Sequence, residues 1–151
     1  MSSTAMSLSS SAAVASPAVS RGRFALIGLG TVAAAVIANL LIYLFGSVVV
    51  GYDPKFVILA DASGTILFTV VPAVVAVLLF AALMRFTRNP ARIFTNIAVV
   101  VLILSLIPDL IYIPSVPGAT TGQTAVLMVM HVVAAVVIVS VLTTQTRSQR
   151  A

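Results

Sequence analysis

PAVVAVLLFAALMRFTRNPARIFTNIAVVVLILSLIPD, residues 72–109, sets two apolar runs on either side of a short turn that carries Arg85, Arg88 and Arg92 around Asn89-Pro90. Each run extends towards the roughly 20 apolar residues that cross a hydrocarbon core. An Asn-Pro step favours a turn and ends the helix before it. The stretch therefore reads as a helical hairpin in lipid. Its basic turn belongs on the cytoplasmic side, where Lys and Arg collect beside membrane spans.

Outward from this hairpin the same pattern repeats. The apolar runs predict spans over residues 24–48, 65–84, 93–113 and 123–143, within a transmembrane domain covering 21–146. A Ser/Ala-rich stretch, residues 1–20, is too poor in large apolar side chains to pack and reads as a disordered cytoplasmic tail. A secretory signal fits less well, because Arg21 and Arg23 follow that stretch instead of preceding an apolar region. Residues 147–151 form a short cytoplasmic tail. The expected fold is an all-α membrane protein, a four-helix transmembrane bundle with both termini inside.

The charges support that topology. Arg21, Arg23, Arg85, Arg88, Arg92, Arg147 and Arg150 fall on one side of the predicted spans, whereas Asp53, Lys55 and Asp61 fall on the other. Such a bias orients the chain with the arginines on the cytoplasmic side, against anionic lipid headgroups. With 61% hydrophobic and 7% charged residues, the chain is far from the roughly 25% charged composition of soluble domains. The net charge of +5 lies beside apolar ends and not on a folded polar face, which argues against nucleic acid as a partner.

Several chemistries are excluded. Without cysteine there is no thiolate, disulfide or Fe–S ligand. One histidine and no glutamate leave a metal site short of ligands, and no cofactor is expected. Gly28-Leu29-Gly30 with Ala33 matches the dinucleotide fingerprint by letters, but it lies inside a long apolar run without the strand-turn-helix context the fingerprint needs. Met128 and Met130, shortly before His131, point to different sides of a helix and cannot both join it at one copper ion without another chain. Gly30, Ala34 and Ala38 recur every four residues and predict a close helix contact.

Two prolines stand within spans: Pro72 should kink the second, and Pro108-Asp109 should interrupt the outer end of the third. The outer loop Gly51 to Gly64 contains FVILA, residues 56–60, which fits either an interfacial dip or a short strand.

Polar residues within spans carry the functional signal, because each is costly in hydrocarbon without a partner. Counted along ideal helices, Asn39 lies about 22 Å and Asp109 about 24 Å from the inner boundary, and Ser105 and His131 about 18 and 16 Å from it. Asn39 with Tyr43, and Ser105 with Asp109, are four residues apart and share helix faces. The candidate intramembrane polar site is Asn39, Tyr43, Ser105, Asp109 and His131.

ANLLIY at 38–43, the run VVPAVVAVLLFAALMR at 70–85, NPARIFTNIAVVVLILSL at 89–106 and VLMVMHVVAAVVIV at 126–139 resemble a group of small four-span bacterial membrane proteins, domain of unknown function 6069. The resemblance covers residues 21–146. It implies a four-helix membrane domain with Asn39 and Met130-His131 at family-like positions, and it implies no activity. The leading expectation is a non-enzymatic accessory or interaction subunit, as a homo-oligomer or with a partner membrane protein. The alternative is a small transporter or channel that uses Asn39, Asp109 and His131. A membrane enzyme is the remaining reading, with Ser105 as the nucleophile candidate; no nucleophile motif accompanies it.

Overall fold

The computed structural model describes residues 21–147, so the expectations for residues 1–20 and 148–151 lie outside the described residues. The order is α1 (Arg21–Val49), α2 (Ala62–Phe86), α3 (Pro90–Ile111), a single 3-10 turn (Ile113–Ser115) and α4 (Thr121–Arg147). Each of the four long helices is long and apolar enough to cross a membrane. The fold is an all-helical bundle whose successive helices are antiparallel. The termini of the described chain and the α2–α3 turn therefore share one end, the arginine end. The longer α1–α2 and α3–α4 connections share the other, the loop end.

Local chemistry sets the helix limits. Asp61 caps α2: its carboxylate accepts from the Ser63 amide at 2.7 Å and from the Ser63 hydroxyl. These bonds, the hydroxyl's first, hold the Asp61 carboxyl below its ordinary value. Pro90 opens α3 at a position where its missing N–H leaves no intrahelical bond unmade. At the start of α4 the Thr120 amide donates to Gln123 Oε1 at 2.8 Å and the Gln123 amide to Thr120 Oγ1 at 3.3 Å, a reciprocal capping box.

Two local expectations need correction, and the choice left open for FVILA goes against a strand. Pro108 does not interrupt α3, which runs on to Ile111 and closes with the Tyr112 amide donating to Pro108 O at 2.8 Å. Membrane helices tolerate an internal proline when packing holds the helix together. FVILA forms no strand. Its backbone folds into turns, with the Phe56 amide bonded to Asp53 O and the Leu59 amide to Phe56 O. The turns drive Phe56 and Leu59, both fully buried, into the loop end of the bundle against Ile113, Leu127 and Met130. Gly118, at φ +80°, lets the α3–α4 connection lie on this plug; a Cβ there would stand 2.8 Å from the Phe56 amide nitrogen.

The small-residue contact on α1 is real but on another face. Gly30 points into open space, and the buried positions are Gly28, Thr31, Ala35, Asn39 and Gly46. A Cβ on Gly28 would come within 2.8 Å of Val77 Cγ1, so this glycine sets the approach of α1 and α2. Residues 28 and 30 lie about 200° apart around a helix, which turns Gly30 away from the bundle.

α4 is the central helix: it packs along α1 and α3 and touches α2, whereas α1 packs along α2. The sequence neighbours α2 and α3 form the loosest of the adjacent pairs. Near their short turn, Phe80 and Phe94 meet edge to face at 5.0 Å, in a core with Ala35, Ala73, Ile138 and Leu142. Beyond those rings the two helices stand apart and leave a cavity.

Candidate functional site

The cavity has a volume of about 720 Å³ and is walled mainly by apolar side chains of α2, α3 and α4, with Asn39 reaching in from α1 and Leu59 and Ile113 at the loop end. That is within the roughly 300–1,000 Å³ of small-molecule sites. Phe68, Val71, Val75 and Val101 line it, yet each is more than half exposed on the bundle surface. The cavity is therefore open along the α2–α3 seam, on the flank that meets acyl chains in a bilayer.

Its polar groups come from all four helices: Asn39 from α1, Thr65 and Thr69 from α2, Ser105 and Asp109 from α3, and His131 from α4. The chief pair is Asp109 and His131, with Oδ2 and Nδ1 3.1 Å apart and side chains 6% and 39% exposed. The ring nitrogen also lies 2.9 Å from the carbonyl of Leu127. That oxygen can only accept, so Nδ1 carries a hydrogen and, in the neutral ring, Nε2 is left as the acceptor. Although close to Nδ1, Asp109 Oδ2 has no hydrogen-bond partner. Leu127 takes the ring N–H, and Asp109 Oδ2 lies beside the ring at ion-pair distance.

A second orphan acceptor follows from the threonines. The Thr69 hydroxyl donates to Thr65 O at 2.7 Å, so its oxygen can only accept from Asn39, whose Nδ2 lies 2.9 Å away. This fixes the amide orientation and leaves Asn39 Oδ1 without a partner. The Thr65 hydroxyl is also unpartnered. Asn39, Thr65 and Asp109 are each more than nine-tenths buried. A buried polar group without a partner costs about 1–3 kcal/mol, so three around one cavity are a considerable cost for a purely structural arrangement.

Of the residues singled out in the sequence, Asn39, Ser105, Asp109 and His131 line this cavity and Tyr43 does not. Tyr43 belongs to the loop-end plug: its hydroxyl donates to Leu59 O at 3.4 Å, and its ring lies 5.1 Å from that of Tyr52. Tyr52 in turn donates to Tyr43 O at 2.8 Å, and burial, then Tyr43, pushes its phenol above its ordinary value. Tyr43 shares a helix face with Asn39 but lies one turn farther out, where the FVILA segment fills the space. Ser105 enters the wall without a partner on α4; its hydroxyl donates to Leu102 O at 2.8 Å.

Depth along the helices pairs His131 with Ser105, but the structure pairs it with Asp109. Side chains on a helix lean towards its N-terminus. α4 begins at the loop end and α3 at the arginine end, so His131 leans outward, Asp109 leans inward, and the two meet. Thr65 and Thr69 were missed in the sequence, although their four-residue spacing is the same signal as Ser105 and Asp109.

Residues 19–148 match DUF6069, a family of unknown function. No curated protein and no solved structure matches the chain.

Proposed function

We propose, for a chain that belongs to the DUF6069 family, a non-enzymatic role as a multi-pass membrane protein that binds a small molecule within the bilayer and serves its passage. The observation that carries this reading is the cavity of about 720 Å³ with Asp109, His131 and Asn39 in its wall. A transport or binding site needs such an open space beside its polar groups, whereas groups kept for structure alone are expected to be mutually paired. The hydroxyl of Ser105, bonded within its own helix, supports leaving catalysis out, since a nucleophile needs a base within reach.

The orientation proposed is both termini in the cytoplasm. It is supported by Arg21, Arg23, Arg85, Arg88, Arg92 and Arg147, which the bundle gathers at one end and which would meet anionic headgroups of a bacterial plasma membrane.

The absence of native cysteine makes thiol accessibility a direct test. In proteoliposomes, Ser105→Cys should react with methyl methanethiosulfonate, a small uncharged reagent that can enter the open cavity from the bilayer, where the polar wall lets the thiol ionise. Ala35→Cys, in the packed core, should remain unmodified. A thiol at position 105 as inert as that at 35 would overturn the reading.

A further inference from the structure

The chemistry left unused in the cavity wall defines its ligand. Asp109 Oδ2 and Asn39 Oδ1 are both acceptors, both buried and both without a hydrogen-bond partner. What such a pair lacks is a donor, and beside a carboxylate the favoured donor carries positive charge. Among the described residues lining the cavity there is no Lys or Arg to meet an anionic group. The remaining wall is apolar along its length, from Leu79 and Phe94 towards Thr65 and Asp109, far more space than a bare inorganic ion fills. Polar head and apolar body must therefore belong to one molecule.

The way in is also specified. Phe56 and Leu59 are fully buried at the loop end, and at the arginine end Phe80 and Phe94 close the gap between α2 and α3. The exposed lining residues Phe68, Val71, Val75 and Val101 mark the seam as the open side. An amphiphile already dissolved in the bilayer reaches that seam by lateral diffusion.

We propose that the cavity binds a lipophilic amine, which enters from the bilayer between α2 and α3 and places its ammonium head between Asp109 Oδ2 and Asn39 Oδ1. This rests on the binding function proposed above and adds the class of ligand and its route. The ammonium group supplies three donors, enough for both orphan oxygens. The alkyl body fills the wall that water would otherwise solvate poorly.

The test uses the full chain carrying the Ser105→Cys reporter in phosphatidylcholine liposomes, with methyl methanethiosulfonate as the label and dodecylamine, dodecyltrimethylammonium and dodecanoate as probes. Dodecylamine should slow labelling saturably. Dodecyltrimethylammonium, a cation without donors, should protect more weakly, and dodecanoate should not protect. Adding Asp109→Asn should raise the half-protecting concentration of dodecylamine about tenfold, the loss of one charge-assisted hydrogen bond. Asn39→Ala should raise it about threefold, as for a neutral hydrogen bond.

Liposomes containing phosphatidylethanolamine separate two sources of the head. Protection by that lipid alone assigns the ammonium to a headgroup, protection by added dodecylamine assigns it to a free amphiphile, and both support the proposal. Equal protection by dodecanoate, or protection unchanged by Asp109→Asn, overturns it while the reactive thiol keeps the binding function standing. A thiol that never reacts removes both together.

Discussion

The two halves of the bundle are held together by different chemistry. Towards the arginine end Ala35, Ala73, Phe80, Phe94, Ile138 and Leu142 form a core of apolar side chains. The buried polar group there, Thr31, is satisfied within its own helix by donating to Ile27 O at 2.8 Å. Towards the loop end lie Asn39, Thr65, Thr69, Asp109, Gln123 and Thr124, with one hydrogen bond between α1 and α2 and four orphan polar atoms, three of them in the cavity wall. In lipid, apolar contact has no water to exclude, so close packing and interhelical hydrogen bonds decide association. The first half uses packing as its glue. The second gives packing up to a cavity and keeps polar groups that lack partners, which separates a half held by packing from the half in which a ligand site is proposed.

The largest expected effect falls on the packed half. Phe80→Ala removes a fully buried ring and its edge contact with Phe94, and should destabilise the protein by about 3 kcal/mol, read as reduced unfolding free energy in lipid nanodiscs or mild detergent. A loss below that of Asn39→Ala would dissolve the contrast between the halves. Asn39→Ala itself removes the α1–α2 hydrogen bond and should cost about 1 kcal/mol, the upper range for such bonds in membranes. Asp109→Asn should alter stability by less than about 1 kcal/mol, and upward, because it keeps the shape while removing a buried charge without a hydrogen bond. A destabilisation as large as that of Phe80→Ala would make Asp109 a structural residue and merge the two halves into one.

The smallest effect is at the loop-end cap, and it depends on pH. The Ser63 bonds lower the Asp61 carboxyl from its ordinary 3.8, so the ionised cap contributes fully above that value. The contribution is lost as pH falls through the lower folded value. Asp61→Ala should therefore lower thermal stability at neutral pH and match the wild type at strongly acid pH. A difference that persists in acid would show that the cap acts through something other than its charge.

Much of the fold was legible in the sequence because length and composition suffice to mark a span. Four apolar runs gave four helices, and the Asn89-Pro90 turn gave the hairpin between α2 and α3. Asn39, Ser105, Asp109 and His131 were legible as candidates because polar residues are rare within spans, and all four line the cavity. Tyr43 was misplaced because helix spacing fixes a face but not the level at which a neighbour fills it. Thr65 and Thr69 were overlooked because threonine is only mildly polar, although one hydroxyl orients Asn39 and the other remains unpartnered.

The sequence by itself determined a four-helix chain built for lipid, with its arginines gathered at one end, since crossing a membrane requires only enough consecutive apolar residues. Only the tertiary structure decided which faces meet. It placed Gly28 and not Gly30 against α2, joined His131 to Asp109 instead of Ser105, and opened the cavity between two helices that a three-residue turn ties together. The reason is that helices apolar all round carry no water-facing side to mark the other as inner. Side-chain lean, volume and the few polar pairs then choose the contacts, and those exist only once the helices are assembled.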